Sequence, residues 1–333
     1  MKDVARASGV SASTVSRVLA GSSRISAATH ERVREAVKAL DYHPNAIARS
    51  LARNETKTIG FLITRPAEQA FANPFFSEAI RGVGSVVHRR DRYLLLMTAS
   101  NLAEERTQAI RLVQHRRVDG LILAVAHKDD RLVQELAAMH FPFVLIGRPF
   151  NPAPISWVNN DNVTVGAMAV EHLISQGHTR IGFIGGQPDT TVHQDRLAGY
   201  RQALARAGLA VEPHLEQDGN FTREGGYRAM QKLMALPNPP TGIFAIDDSM
   251  ALGALEWLNE RGRTVAVVGV NDDAVASYTK PSLTTVRLPI FDLGATAAQV
   301  LLDQIADAKT SPRQVILPSQ LVVRASSLSG SAT

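Results

Sequence analysis

Apolar positions recur along this chain with two different patterns, and the change between them divides it. From Asp3 to Leu40 they return every three or four residues: Val4 and Ala5, then Val15, Val18 and Leu19, then Val33, Ala36, Val37 and Leu40. This spacing predicts three short helices that close a small core. Gly9 can take the positive φ that ends the first, Val10 packs in the turn, Ser11 caps the second helix and Ser26 opens the third. From Thr58 onward the pattern changes to runs that are apolar throughout, TIGFLIT, YLLLMT, DGLILAV, FPFVLIG, RIGFIGG, TGIFAI and TVAVVGV, each separated from the next by a helical stretch. Such runs suit strands buried on both faces, and their alternation with helices predicts parallel sheets with right-handed crossovers. They form two similar halves that break near Asn160 and Asp161, so the expected fold class is α/β, two doubly wound subdomains behind an all-α head.

Composition narrows the function classes. The 333 residues are 45% hydrophobic and 20% charged, enough for two or three compact units, and contain no cysteine, which excludes disulfides, thiolate metal sites and a cysteine nucleophile. No apolar run reaches the roughly 18 residues of a membrane span, and MKDVARASGV lacks a secretory apolar core, so no membrane partner and a cytoplasmic location are expected. Residues 1–57 hold ten Lys and Arg against five Asp and Glu, whereas the remainder carries 26 of each sign. A basic head on a neutral body suits polyanion binding, although solvated helix faces also collect Lys and Arg. The sequence lacks GxGxxG, GxxxxGK and HExxH, and its histidines show no ligand spacing, so neither a dinucleotide, a P-loop nor a metal site is expected.

With its apolar face turned inward, the second helix presents Ala12, Ser13, Ser16 and Arg17 outward, next to Ser11 and Thr14. Small residues near a helix N-terminus let the backbone approach the major groove, and Arg17 can donate two hydrogen bonds to a guanine edge. After the third helix, NAIARSLAR predicts a further helix that, at about nine residues, is too short to be stable alone.

DVARASGVSASTVSRVL, YHPNAIARSLA and the later motifs resemble the lactose-repressor (LacI/GalR) family of transcription regulators from Asp3 to about Arg324. The resemblance implies a helix-turn-helix domain over 1–44, a hinge helix and linker over 45–57, and an effector-binding and dimerisation body over 58–333 that is like a periplasmic sugar-binding protein. Its first subdomain would span about 58–160 and 289–318, its second about 161–288 and 319–328. The chain then crosses three times, and the last strands near Leu288 and Leu317 return to the first half. Asn45, Ala48, Leu51 and Ala52 of the hinge join Ser11 to Arg17 as expected DNA contacts, with Leu51 the wedge that enters the minor groove. Ala12 and Ser13 stand at the family's specificity pair, so direct readout there is modest. Family members often have a Thr that caps the first helix ahead of Lys2-Asp3; here either Asp3 serves that job poorly or the true start lies upstream.

Ligands of doubly wound sheets bind beyond the carboxyl ends of the strands. After the first strand come Phe71, Asn73, Phe75 and Phe76; after FPFVLIG, Arg148; after RIGFIGG, Arg196; after TGIFAI, Asp247; after TVAVVGV, Asn271. Carboxylate, amide and guanidinium groups for vicinal hydroxyls, with aromatic faces for the C–H side of a ring, make a sugar site. Asp247 has a second reading as a helix cap, and Phe76 one as core. The resemblance puts Arg196 at the family's ligand-binding arginine and more often places Asn at 247 and Asp at 271, the reverse of this chain. It implies a repressor, not an enzyme, that uses no cofactor and acts as a homodimer on an inverted-repeat operator under control of a small sugar. NPFFSEAIRGV, the loop Gly147–Pro149 and Asn159–Asn162 look most like maltose-operon repressors, which gives maltose or a malto-oligosaccharide as expected effector. A phosphorylated carrier protein acting as corepressor is the alternative partner, and the ending SSLSGSAT shows no heptads for tetramers. A solute-binding protein would share the body but have no use for the basic head, and an enzyme would need a nucleophile, base and orienter that no motif here supplies.

Overall fold

The computed structural model describes residues 1–19, 22, 24–42, 55–128, 130–307 and 309–328. It divides into two units, residues 1–57 and 58–333.

In the first unit, α1 (Lys2–Ser8), α2 (Ala12–Leu19) and α3 (Ala27–Ala39) enclose Val4, Ala5, Val15, Val18, Val33 and Ala36. Gly9 has φ 64° and stops α1 in the left-handed conformation that glycine adopts without strain. The Ser11 hydroxyl accepts from Thr14 N at 3.1 Å and the Ser26 hydroxyl from Thr29 N at 3.3 Å, so both expected caps form. No side chain caps α1, although Asp3 lies in its first turn. Leu40, expected in the core, is exposed, because α3 ends at Ala39 and the 3.6-residue period does not carry past it. The proposed hinge contacts Asn45, Ala48, Leu51 and Ala52 lie outside the described residues.

The second unit contains two six-stranded sheets. The first subdomain runs through β1 (Thr58–Ile63), α4 (Ala67–Ala72), α5 (Pro74–Arg89), β2 (Tyr93–Thr98), α6 (Leu102–Gln114), β3 (Gly120–Leu123), α7 (Arg131–Ala138), β4 (Phe143–Ile146) and β5 (Ser156–Asn160). The second follows with α8 (Asn162–Ser175), β6 (Ile181–Gly185), α9 (Thr191–Arg206), β7 (Glu216–Asp218), α10 (Arg223–Met234), β8 (Gly242–Ala245), α11 (Asp248–Glu260), β9 (Ala266–Asn271) and β10 (Thr284–Arg287). Then α12 (Ile290–Ala306) and β11 (Gln314–Leu317) return to the first subdomain, and β12 (Gln320–Val322) to the second. Strand order is β11-β5-β4-β3-β1-β2 in one sheet and β12-β10-β9-β8-β6-β7 in the other. The strand ending just before Leu288 therefore belongs to the second sheet, and the chain crosses back only after it. All pairings are parallel except β12 with β10, which the chain reaches by a direct crossing from β11 with no helix between, so β12 can run antiparallel.

In both sheets the order reverses beside one strand, β1 in the first and β6 in the second, and the crevice left there is where doubly wound folds bind ligands. Two helices that carry the second crevice, α8 and α9, pack backbone against backbone at glycines. A Cβ on Gly199 of α9 would stand 2.1 Å from the Val163 carbonyl oxygen, and one on Gly166 of α8 would stand 2.3 Å from that of Arg196. Among the described residues no helix is long and apolar enough to cross a membrane.

Two predictions follow from this packing. Gly199→Ala must push α8 and α9 apart and should cost about 1–3 kcal/mol, read as a lower denaturation midpoint at unchanged slope. The second concerns pH. Burial pushes the carboxyls of Glu105 and Asp273 up to about 7, with the charges of Asp247 and Asp272 adding to the effect on Asp273, and burial also holds Asp248 well above the usual carboxylate range. Because the folded values exceed the unfolded ones, the native state keeps protons that the unfolded chain has lost, and the resulting stability fades as pH rises through about 7. His172, His178 and His193, held low by burial, act with the opposite sign only below about pH 6.5. The melting temperature should therefore fall between about pH 6.5 and pH 8, and the double variant Glu105→Gln/Asp273→Asn should shrink that fall.

Candidate functional site

Between the strand ends of the two sheets lies a cleft of about 690 Å³, counting its open mouth. Every group that lines it comes from the carboxyl end of a strand or the segment just after one. Arg65, Asn73, Phe75 and Phe76 follow β1, Ala124 to Ala126 follow β3, Gly147 follows β4, and Asn160 and Asn162 mark the end of β5. From the second subdomain come Thr191, Val192 and Arg196 after β6, Phe221 after β7, Asp247 after β8, Asn271 at the end of β9 and Leu288 after β10. The walls mix aromatic and aliphatic faces with a few polar groups, the composition of a small-molecule site.

Arg196 lies deepest. It is 4% exposed, its Nε donates to Asn162 Oδ1 at 2.8 Å, and its Nη1 donates to the Ile246 carbonyl oxygen. Burial brings its pKa down to about 10 against the pull of Asp247, Asp248 and Asp195, so it stays charged near neutrality. Asp247 both caps a helix and lines the cleft. Its Oδ1 caps α11 by accepting from Ser249 N at 2.8 Å, while Oδ2 accepts from Asn271 Nδ2 at 3.0 Å and from Asn73 Nδ2 at 3.4 Å across the cleft. Asn271 holds φ 122°, a region that L residues avoid and that occurs preferentially at binding sites. Asn73 caps α5 through Phe75 N at 3.0 Å, ahead of Pro74 at the first helical position. Phe75 and Phe76 meet edge to face with centroids 5.4 Å apart; Phe76 belongs to the core and also forms part of the wall.

Six of the eight expected effector residues thus meet in one cavity: Asn73, Phe75, Phe76, Arg196, Asp247 and Asn271. Two do not. Phe71 is 58% exposed and lies outside the lining, because Ala70 is the residue α4 buries and its neighbour is turned about 100° away. Arg148 lies beside the cleft with its guanidinium already engaged, donating to both oxygens of Asp195 (Nε to Oδ2 at 2.8 Å, Nη2 to Oδ1) and to the Pro149 carbonyl at 3.1 Å. This contact ties the first subdomain to the second. Sequence reasoning missed Arg65, Phe221, Asn162 and Thr191. The Phe221 ring occupies space that a Cβ on Gly186 would fill at 1.9 Å, so the last glycine of GFIGG makes room for an aromatic wall.

In the head, Ser11, Ala12, Ser13 and Arg17 are exposed along α2, and Thr14 and Ser16 are half-buried at its edge. The Ser11 hydroxyl is shared with those of Ser13 and Thr14 at 2.8 and 2.9 Å. Arg24, Arg32, Arg34 and Lys38 are also exposed, so the three-helix part of this unit keeps these cations in solvent.

Comparison with known proteins agrees with both units. Residues 1–45 match the model for bacterial regulatory proteins of the lacI family, and residues 170–327 match that for a periplasmic binding protein-like domain. The chain is 37% identical over 330 residues to the HTH-type transcriptional regulator CelR of Thermobifida fusca, covering 97% of this chain and 96% of that protein. The solved complex of the regulator CelR with cellobiose superposes with a TM-score of 0.77 at 35% identity, covering 98% of both chains. The lac repressor dimer bound to operator and an anti-inducer superposes with a TM-score of 0.85 at 29% identity, again over 98% of both. The chain belongs to the lacI family of bacterial regulatory proteins: it is a DNA-binding transcription regulator and not an enzyme.

Proposed function

We propose that this regulator is a homodimeric repressor that acts in the cytoplasm, reads an inverted-repeat operator with one α2 helix per subunit, and is controlled by a sugar bound in the cleft. The observation that carries the sugar reading is the convergence of Arg196, Asp247, Asn271 and Asn73 between the aromatic walls Phe75, Phe76 and Phe221. Amide, carboxylate and guanidinium supply the donors and acceptors that hydroxyls need, and ring faces suit the C–H side of a pyranose. The cellobiose complex of a relative that matches over nearly the whole chain supports a ligand of up to disaccharide size. A glucose-containing disaccharide is the first class to test, maltose or a malto-oligosaccharide on the resemblance of NPFFSEAIRGV, and cellobiose on the strength of that relative.

The mechanism is a change of population. A ligand shifts the balance between two arrangements of the subdomains only by its difference in affinity for them, typically 1–3 kcal/mol in such systems, which is about 5- to 150-fold in operator affinity. Paired hinge segments that include Leu51, folding on the operator and wedging its minor groove, would read that balance.

Operator binding is followed by fluorescence anisotropy on a palindromic duplex selected with the protein itself. Arg17→Ala should weaken it by about 1–3 kcal/mol and flatten the preference for the cognate base, because the fork to guanine is gone. Wild-type log affinity should fall linearly with log salt, and a flat line would remove the phosphate contacts from the account. Arg196→Ala should abolish the response to sugar and, because its side chain ties α8 and α9 to the end of β8, also lower the melting temperature. A response that survives Arg196→Ala would move control out of the cleft and favour a phosphorylated carrier protein as corepressor.

A further inference from the structure

Arg65 is a second arginine in the cleft, and the sugar reading gives it nothing to do. It follows β1, is 5% exposed and lines the cavity, and its guanidinium has no hydrogen-bond or ion-pair partner among the described residues. The group lies over the face of Phe221, whose centroid is 4.7 Å from the guanidinium carbon. Stacking occupies the flat face of the group and leaves its in-plane N–H donors unused.

The neighbouring carboxylates act on Arg65 only through their field. Asp189 is half-exposed and bonded to His127 at 3.2 Å. Asp247, the one carboxylate among the described lining residues, already accepts from Ser249, Asn271 and Asn73. Arg196 is engaged by Asn162 and Ile246. The lining thus holds two guanidinium groups against one carboxylate, and the excess charge sits on the group that has free donors. A hydroxyl offers such a fork a single weak acceptor, whereas a carboxylate or phosphate matches it with two charged oxygens.

We infer that the effector carries one anionic group, a carboxylate or a phosphate, received by Arg65, so that the ligand class is an acidic sugar: a uronate, an aldonate-ended disaccharide or a sugar phosphate. This rests on the sugar reading of the cleft and adds to it the charge of the ligand. Arg65 is the specificity-determining residue, and the aromatic ring beneath it fixes the plane of its donors.

Full-length protein is titrated calorimetrically with sets that differ in charge: glucose, glucuronate and glucose 6-phosphate; maltose and maltobionate; cellobiose and cellobionate. In at least one set the anion should bind about 10- to 100-fold more tightly than its neutral parent, as hydrogen bonds to charged groups do, and the first set separates carboxylate from phosphate. Arg65→Gln should erase that preference and leave the melting temperature of ligand-free protein unchanged or higher, because it removes a buried charge that lacks a partner; a purely structural arginine would give a lower melting temperature and no change in selectivity. Should Arg65→Gln fold poorly, Arg65→Lys, which keeps the charge and loses the fork, should keep a reduced preference. Neutral parents that bind as tightly as their anions in every set, or a preference that survives Arg65→Gln, would overturn the acidic group. Release of operator by a neutral sugar alone would do so while the sugar reading stands, and binding by no member of any set would end both.

Discussion

A guanidinium taken out of water is costly until the fold or a ligand gives it acceptors, and the cleft is organised around how Arg196 obtains them from the fold. Its two bonds reach Asn162, at the start of α8 just after the first crossing between subdomains, and the Ile246 carbonyl, one residue before Asp247. One side chain therefore fixes the first turn of α8, the start of α9 and the end of β8 relative to one another. The close α8–α9 packing allowed by Gly166 and Gly199 brings these groups within reach. Leaving one partner of a buried charge unpaired costs several kcal/mol, more than any neighbouring contact supplies, so the rest of the polar arrangement follows from this one.

Across the cleft the forces are weaker and more numerous. Arg148 with Asp195, His127 with Asp189, Asn73 with Asp247 and Arg65 over Phe221 each join a residue of the first subdomain to one of the second. Contacts of this kind contribute on the order of 1 kcal/mol each, the same size as a typical allosteric coupling. A ligand that replaces one and reinforces another can change the balance between arrangements without disturbing either core. The Asn73–Asp247 bond is the most exposed to such exchange, because both partners line the cavity and 3.4 Å leaves it weak.

Much of this was legible in the sequence because buried parallel strands read as unbroken apolar runs, which also locate the loops that follow them. Arg196, Asp247 and Asn271 stand at or beyond the ends of such runs; Arg196 also matches the family's arginine, whereas the carboxylate at 247 and the amide at 271 reverse the more common family pattern. Phe221 was missed because the strand before it is Glu216–Asp218, three polar residues with no apolar signature, so no loop was sought after it. Arg65 was missed because it stands alone two residues beyond β1, ahead of the aromatic cluster that carries the visible signal in that segment. Phe71 was chosen for its ring, and only its place on α4 next to buried Ala70 shows why it faces solvent. The maltose-operon likeness of short motifs gave a ligand that the comparisons, with cellobiose in a relative, do not single out.

The exchange of Asn and Asp between positions 247 and 271 is best understood as the reversal of one hydrogen bond. The more common family pattern and this chain both place one carboxylate and one amide at these strand ends, and here the Asn271 amide donates to the Asp247 carboxylate at 3.0 Å. What changes is where the charge resides. At 247 the carboxylate caps α11, whose N-terminal N–H groups and dipole favour a negative charge by roughly 0.3–1 kcal/mol over a neutral cap. At 271 the backbone holds φ 122°, a strained value that does not discriminate between asparagine and aspartate, so the preference lies at the helix cap. Anchored at the helix start and bonded to two amides, the Asp247 charge is spent within the protein. It therefore acts on Arg65 only through its field and accepts from none of its N–H groups, which remain directed to whatever enters the cleft.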